Sequence, residues 1–384
     1  MQRVHFDHNA TTPIRPEARA LYEAELDRLG GNPSSVHTSG RAARAVLDNA
    51  RERCAVALGV HEDELVFTSG GTESDNLALF GALAALQGLR ALITTAAEHS
   101  AVLAAADELE RSGHRVVRTP VDREGRPLLE LLLREASASD VGLVSVMAAN
   151  NEVGALGPLA ELGAGLAGLG RSRPLLHTDA VQLLGRRPLA LRSWGVDLAS
   201  FSAHKVGGPL GVGLLYRRRG VALHPRLFGG GQEYGLRPGT ENVPAIAAAA
   251  LAIELAQREQ PDFAARTAEL CRSYWQQVQR DHPRARLNGP ALDAPDRLPN
   301  TLNLELPGID GRVLVARLDL EGLELSAGSA CASGSLEPSH VLLAMGLDPE
   351  RARSGLRLSF GRTNTAQDVH IAVDILRRTF FSAR

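Results

Sequence analysis

The chain has 384 residues, of which 44% are hydrophobic and 22% are charged, and its net charge is −2. This balance is typical of a globular protein and excludes a disordered chain, a collagen-like chain and a disulfide-stapled miniprotein. Because acidic and basic groups nearly cancel, no overall field favours nucleic acid or an anionic membrane surface, and we expect neither as a partner.

The cysteines and the apolar stretches indicate a reducing, aqueous compartment. Cys54, Cys271 and Cys331 are odd in number and far apart, which argues against a disulfide framework and against a cysteine-based metal site. The longest apolar stretch, residues 244–253, is well short of the ~18 residues that a membrane span needs. A secretory signal requires an apolar run after its first basic residue, and no such run is found here. We therefore expect a cytoplasmic protein without a metal site.

Short apolar runs alternate with helical patterns along the first two thirds of the chain. The runs are apolar almost throughout, as in strands that are buried on both faces. Predicted strands cover residues 64–69, 91–96, 115–120, 141–147, 175–180, 197–203 and 212–218, and predicted helices cover residues 73–87 and 100–113. This alternation predicts an α/β domain over residues 15–257, with a mostly parallel, seven-stranded sheet.

The last third of the chain has a different pattern. A long helical stretch from about residue 244 to 280 is interrupted near Pro261, and a Pro- and Asp-rich loop covers residues 288–300. Predicted strands follow at residues 301–306 and 357–360, and predicted helices follow at residues 311–320 and from about residue 365. With residues 1–14, residues 258–384 are expected to form a smaller α+β domain.

Two predicted strands end in polar turns that suit ligand binding. TSGGTESDN, residues 68–76, has a Gly-Gly turn and opens a helix at Thr72, whose free N–H groups suit a phosphate. Taken alone, the same residues favour an ordinary turn that Thr72 caps. LLHTDAVQ, residues 175–182, places Asp179 and Gln182 beyond a buried strand. Asp179 there suits either a cationic ring nitrogen or a helix cap, so both motifs remain open on this basis alone.

The composition singles out one basic residue. Of the 42 lysines and arginines only Lys205 is a lysine, and it follows a strand within SFSAHKVGGPLGVG, residues 200–213. Arginine replaces lysine on a solvated surface, but it cannot replace an amine that must lose its proton to react. Lys205 is therefore a candidate nucleophile, and its neighbours Ser202 and His204 are phosphate-binding candidates.

One of the three cysteines lies in an unusual context. Cys331 stands within ELSAGSACASGSLEPSH, residues 324–340, a run of small residues that cannot bury a side chain. Cys54 and Cys271 lie instead on helical patterns, where a cysteine is usually an inert apolar residue. Cys331 is therefore a candidate thiol nucleophile. An amine, a carboxylate, a phosphate site and a thiol together indicate pyridoxal phosphate as the cofactor.

The chain resembles the cysteine desulfurases of the NifS/IscS type, which belong to the class-V aminotransferases and to the fold type I pyridoxal-phosphate enzymes. The resemblance extends nearly from end to end, and the motifs follow one another in the order of that family. They are DHNATTP (7–13), GNPSSVH (31–37), TAAEHSAV (95–102), NNEVG (150–154), GGGQEYGLRPGTEN (229–242) and LRLSFGR (356–362), together with the motifs at residues 68–76, 175–182, 200–213 and 324–340.

The resemblance implies a role for each matching residue. Lys205 would attach the cofactor, Asp179 would pair with its ring nitrogen, Gln182 would bind its phenolic oxygen, and His99 would stack on the ring and move protons. The implied phosphate ligands are Gly71, Thr72, Ser202, His204 and, from the partner subunit of a homodimer, Thr240. The implied substrate ligands are Asn151 and Arg357, and the implied sulfur acceptor is Cys331.

The expected activity is conversion of L-cysteine to L-alanine, with the sulfur passing to Cys331 as a persulfide and then to an acceptor such as an iron–sulfur scaffold protein. A selenocysteine lyase or a transaminase of the same family would use Lys205 and Asp179 in the same way. In a transaminase Cys331 would have no role. A selenocysteine lyase is distinguished from a cysteine desulfurase by comparing selenocysteine and cysteine as substrates. A sulfur-relay scaffold without catalysis is disfavoured, because Lys205, Asp179 and Cys331 are all present.

Overall fold

A computed structural model describes residues 3–88, 90–170, 173–328 and 337–381, which form twelve helices and twelve strands. The helices are α1 (Pro16–Arg28), α2 (Thr38–Leu58), α3 (Gly71–Ala85), α4 (Ser100–Arg111), α5 (Leu129–Ala136), α6 (Leu159–Ala167), α7 (Val243–Arg258), α8 (Gln260–Asp281), α9 (Gly311–Leu320), α10 (His340–Ala344), α11 (Pro349–Arg353) and α12 (Ala366–Phe381). The strands are β1 (Val4–His5), β2 (Leu65–Thr68), β3 (Ala91–Thr95), β4 (Val116–Thr119), β5 (Val141–Ser145), β6 (Leu175–Asp179), β7 (Leu198–Ser202), β8 (Gly213–Arg217), β9 (Arg286–Asn288), β10 (Thr301–Glu305), β11 (Leu323–Glu324) and β12 (Gly355–Ser359).

The central sheet has seven strands in the order β2-β8-β7-β6-β5-β3-β4. Strands β7, β6, β5, β3 and β4 pair in parallel, and only β8 is antiparallel to its neighbours β2 and β7. Most of these strands are buried along their whole length, because helices cover both faces of the sheet. The predicted seven-stranded, mostly parallel sheet is confirmed.

The small sheets contain residues from both ends of the chain. Strands β12, β10 and β9 form an antiparallel sheet, and β1 pairs in parallel with β11. A hydrophobic cluster joins Val4 and Phe6 to α8, β10, α9, β12 and α12, separately from the clusters around the large sheet. This separation supports a division near residue 257, which stays a prediction.

Local sequence explains where several elements begin and end. The break expected near Pro261 lies between α7 and α8, and Pro261 occupies the first turn of α8, where no amide hydrogen is required. Helix α2 begins after His37, whose ring accepts the N–H of Gly40, and ends at Gly59 in the left-handed conformation. Helices α1, α2, α5 and α6 are not among the predicted elements. No helix in the described ranges is both long and apolar enough to span a membrane.

Candidate active site

A cavity of about 220 Å³ lies where the carboxyl ends of β2, β6 and β7 meet. Ligand sites of open α/β sheets form at this edge, because loops and helix N-termini converge there. The cavity is lined by Asn9, Ala10, Gly71, Thr72, Asp75, His99, Met147, Asn151, Asp179, Val181, Gln182, Ser202, His204, Lys205 and Arg357. Ten of the twelve predicted site residues are therefore together, while Thr240 is not among the lining residues and Cys331 lies outside the described residues.

Lys205 is held at the cavity by the N-terminal segment. It lies in a 3₁₀ turn, Ala203–Val206, which ends at Gly207 with a φ of 85°. Its Nζ donates to the carbonyl oxygens of Asn9 and Ala10, each at 2.7 Å. The Asn9 side chain in turn donates to the carbonyl of Asn151 at 3.0 Å. These contacts fix the position of the amine and leave it within the cavity wall.

The glycine turn leaves the N-terminus of α3 open towards the cavity. The cap residue is Gly70, which has no side-chain cap hydrogen bond, so the alternative in which Thr72 caps the helix is wrong. A Cβ on Gly213 would lie 2.5 Å from the Cα of Gly70, and a Cβ on Gly71 would lie 2.9 Å from Cγ2 of Val181. Glycine is required here because the backbones approach so closely, and the free N–H groups of the first turn remain for an anion.

Two buried carboxyl groups and an imidazole meet at one end of the cavity. One carboxylate oxygen each of Asp75 and Asp179 and one ring nitrogen of His99 all lie within 4.8 Å of one another. Burial and the charge of Asp179 raise the pKa of Asp75 well above its ordinary value. Burial also raises the pKa of Asp179, but His99, the N–H of Val181 at 2.9 Å and Lys205 act in the opposite direction. We therefore assign the negative charge to Asp179 and the proton to Asp75, because two adjacent buried carboxylates cannot both ionise.

His99 combines a capping role with a place in the cavity wall. It precedes α4, and its Nδ1 accepts the backbone N–H of Ala101 at 3.2 Å. In the neutral ring the proton therefore lies on Nε2. His99 therefore caps α4 and also lines the cavity, and its predicted role towards a cofactor stays a prediction.

Gln182 and His204 line the cavity together with Lys205. The Gln182 side chain donates to the carbonyl of Asn9 at 3.0 Å and accepts from Arg186. Nδ1 of His204 lies 3.0 Å from the Thr11 hydroxyl. Burial, together with Lys205 and Arg186, lowers the pKa of His204 to about 4, so its ring is neutral at pH 7.

Arg357 lies on the wall next to Asn151 and is 1% exposed. It forms an ion pair with Asp7 at 2.6 Å and donates to the carbonyl of Asn151 at 3.3 Å, while its Nε makes no hydrogen bond to any of the residues that the structure describes. A guanidinium in this position is suited to a carboxylate that enters the cavity. Its backbone pairs with that of Ser326, a residue of the predicted cysteine segment.

The two ends of the cysteine segment are attached beside the cavity. Near its start, Ser326 pairs with Arg357, and at its last residue, Nε2 of His340 lies 2.9 Å from the carbonyl oxygen of Glu98. Cys331 lies between these attachments in the sequence, in residues 329–336, which the structure does not describe. Its predicted role stays a prediction.

Cys54 and Cys271 are buried in α2 and α8, where burial raises the pKa of each thiol to about 12. This agrees with the interpretation of both as inert apolar residues. Thr240 is exposed, with its hydroxyl 3.5 Å from the Asn32 amide, and its role in a partner subunit stays a prediction.

No role was predicted for Asn9 and Asp75, although both line the cavity. Asn9 belongs to the DHNATTP motif and Asp75 to TSGGTESDN, so both lay in segments already noted for their sequence. Neither spacing nor periodicity indicates that they meet Lys205 and Asp179.

Comparisons with known proteins agree with this arrangement. Residues 4–371 match the family model described as aminotransferase class-V. The chain is 42% identical to cysteine desulfurase IscS of Dictyoglomus turgidum, over 98% of this chain and 94% of that protein. It is 41% identical to putative cysteine desulfurase IscS 1 of Bacillus subtilis, over 98% and 100% of the two chains.

Solved structures give the same result for the fold. A NifS-like protein superimposes with a TM-score of 0.92 at 37% identity, covering 100% of both chains. A structure described as SspA in complex with cysteine has a TM-score of 0.80 at 30% identity, over 93% of this chain and 98% of that one.

Proposed function

This chain belongs to the class-V aminotransferase family, as its motifs predicted, and from that membership we propose that it is a pyridoxal-phosphate-dependent cysteine desulfurase. It converts L-cysteine to L-alanine and takes up the sulfur on Cys331. The observation that carries the proposal is the single cavity in which Lys205, Asp179 and His99 come together.

The cavity fits pyridoxal phosphate on features of its own. It contains the only lysine of the chain, an uncapped helix N-terminus for the phosphate and a buried carboxylate for a cationic ring nitrogen. Asp75, His99 and Asp179 also offer the donor atoms that a divalent cation accepts. We favour the organic cofactor, because Lys205 already supplies a positive charge to Asp179.

The proposed cofactor ligands follow from their positions on the wall. Gly71 and Thr72 offer the helix N-terminus to the phosphate, and Ser202 and His204 lie beside it. Gln182 would bind the phenolic oxygen of the cofactor. The partner subunit's Thr240 completes the phosphate site in a homodimer.

When bound, pyridoxal phosphate supplies an electrophilic aldehyde and an electron sink for a carbanion at Cα. Asp179 keeps the ring nitrogen protonated, because a buried negative charge next to a basic nitrogen raises its pKa. The amine of Lys205 holds the cofactor and afterwards carries the Cα proton. His99 presents Nε2–H to the same space and moves protons at the sulfur end.

Substrate specificity and sulfur transfer depend on Arg357, Asn151 and the cysteine segment. Arg357 and Asn151 hold the carboxylate of L-cysteine, which orients its sulfur towards the cysteine segment. The thiolate of Cys331 attacks that sulfur, because the thiolate is the nucleophilic form of cysteine. As the S–S bond of the persulfide forms, the Cβ–S bond of the substrate breaks, and its electron pair stays with the three-carbon fragment, which takes up protons and leaves as alanine. The persulfide then passes to an acceptor protein, for which we propose an iron–sulfur scaffold in the cytoplasm.

The proposal is tested by trapping and by product analysis. Borohydride reduction of the yellow protein should place the cofactor on one peptide, which contains Lys205. L-cysteine should yield equal amounts of alanine and of sulfur released by thiol reductant. Cofactor on the N-terminal amine, or none at all, contradicts the proposal, and faster turnover of L-selenocysteine with no sulfur on Cys331 indicates a selenocysteine lyase instead.

A further inference from the structure

A second, smaller chamber shares Lys205 with the active-site cavity. It has a volume of about 30 Å³, room for one particle of the size of a water molecule. Its polar lining residues include His8, Arg15, Arg186, Lys205 and Arg362, and Phe263 and Phe360 supply apolar wall. The polar lining carries several positive charges and no carboxylate.

Arg186 is the unusual residue of this chamber. Its side chain is buried, 3% exposed, and its NH1 donates to the carbonyl and side-chain oxygens of Gln182. Throughout the described ranges no carboxylate forms an ion pair with it. Burial, with Arg357 nearby, lowers the pKa of Arg186 to about 9, so the guanidinium remains charged at pH 7. A buried charge without a counter-charge is costly.

His8 adds an unused polar atom to the same chamber. It is 2% exposed, and its Nε2 makes no hydrogen bond of normal geometry. Nδ1 lies 3.2 Å from the Thr12 hydroxyl, whose one proton can go either to Nδ1 or to the His8 carbonyl oxygen at 3.3 Å. Donation to Nδ1 leaves the ring proton on Nε2. Burial, His5 and Arg186 lower the pKa of His8 to about 3. A negative charge in the chamber would raise the pKa of His8 again, because it favours the protonated ring.

The other charges around the chamber do not neutralise Arg186. Arg15 pairs with Glu259 at 2.8 Å, so the carboxylate of Glu259 is already occupied by another arginine. Arg362 is half-buried at the wall, and in the part of the chain that the structure describes it forms no ion pair. The chamber therefore has a net positive lining and space for one small particle.

We propose that this chamber binds a monatomic inorganic anion of the chloride class, held by Arg186 and His8 with Arg362 beside it. A water molecule would fit the volume but would not compensate the charge of Arg186. A tetrahedral anion such as sulfate exceeds the space. The site is separate from the phosphate site of the active centre. Its lining comes from the segment before α1, residues 184–186 and 205–206, helices α7 and α8 and the residues after β12, and not from the N-terminus of α3.

The anion is located directly with bromide. Crystals of the cofactor-loaded protein soaked in sodium bromide should show an anomalous peak between Arg186 and His8. The thermal midpoint of the protein should also rise by about 2–4 °C, and saturate, when chloride replaces gluconate at constant ionic strength. Sulfate at the same ionic strength should leave the midpoint unchanged.

Substitutions separate binding from general salt effects. Arg186→Met removes the charge, so its thermal midpoint should not respond to chloride, whereas the exposed control Arg123→Met should respond like wild type. Should Arg186→Met fold poorly, Arg362→Gln keeps the chamber and should raise the half-saturating chloride concentration about fivefold, as loss of a neighbouring charge predicts. Absence of a bromide peak, or an equal response to sulfate and chloride, overturns the proposal.

Discussion

Asp75 and Asp179 form a matched pair whose substitutions should differ sharply in effect. Both line the active-site cavity, and they are 1% and 6% exposed. The pKa of Asp75 is raised by burial and by Asp179, whereas His99 and Lys205 favour the ionised form of Asp179. Asp179→Asn therefore removes a functional charge. Asp75→Asn replaces one neutral group by another of the same size.

The magnitudes follow from these charge states. A hydrogen bond to a charged group is worth ~1.5–3 kcal/mol, and each ~1.4 kcal/mol is a factor of ten, so kcat of Asp179→Asn should fall by about 10- to 150-fold. Asp75→Asn should stay within about threefold of wild type, because the charge on Asp179 remains.

Alanine formation from L-cysteine measures both effects, and a pH titration of the cofactor absorbance reports the ring nitrogen independently of turnover. The absorbance titration should shift in Asp179→Asn and remain in place in Asp75→Asn. The reasoning is refuted if Asp75→Asn loses as much activity as Asp179→Asn, or if Asp179→Asn stays within threefold of wild type.

The remaining predictions concern three other positions. Lys205→Arg should fold yet lose at least ~100-fold in alanine formation, because guanidinium cannot act as a base; activity within about tenfold of wild type would contradict this. Burial lowers the pKa of His177 to about 3, so unfolding takes up a proton below pH ~6.5 and stability falls as the pH falls towards 3. In His177→Gln the free energy of unfolding, measured by urea titration at pH 7.5 and pH 5, should fall less steeply with pH than in the wild type, by up to ~1.4 kcal/mol per pH unit. The same pH dependence in both proteins would refute the assignment. Gly213→Ala should lower the free energy of unfolding by ~1–3 kcal/mol, because its Cβ meets Gly70 at 2.5 Å, whereas Gly30→Ala, with no atom within 4 Å, should have little effect; similar values for the two variants would argue against the close approach.

The active site was predictable where one residue type carries a unique chemistry. Lys205 stands out because no other residue in the chain has a side-chain amine, and Asp179 stands out because it ends a buried strand. The large sheet was predictable for a similar reason, since fully buried strands leave continuous apolar runs. Helix α1 has a weaker signal, because Ala18 is its only buried residue and the helix therefore has no continuous apolar face.

The contacts between distant segments were not predictable in this way. The carbonyls of Asn9 and Ala10 that hold Lys205 are nearly 200 residues away in the chain, and backbone acceptors leave no trace in a residue pattern. Asp75 was not singled out, because an acidic residue near the start of a helix such as α3 is common. Arg186 resembles any other arginine until the fold shows that it is buried without a carboxylate.

The central claim is that sulfur from L-cysteine arrives on Cys331, and intact-peptide mass spectrometry tests it most directly. After incubation with L-cysteine and no reductant, the peptide with Cys331 should carry one additional sulfur atom, and the peptides with the buried Cys54 and Cys271 should carry none. Cys331→Ser should retain the cofactor but form almost no alanine, whereas Cys54→Ser and Cys271→Ser should form it at the wild-type rate. Sulfur on either buried cysteine, or normal alanine formation by Cys331→Ser, would contradict the account.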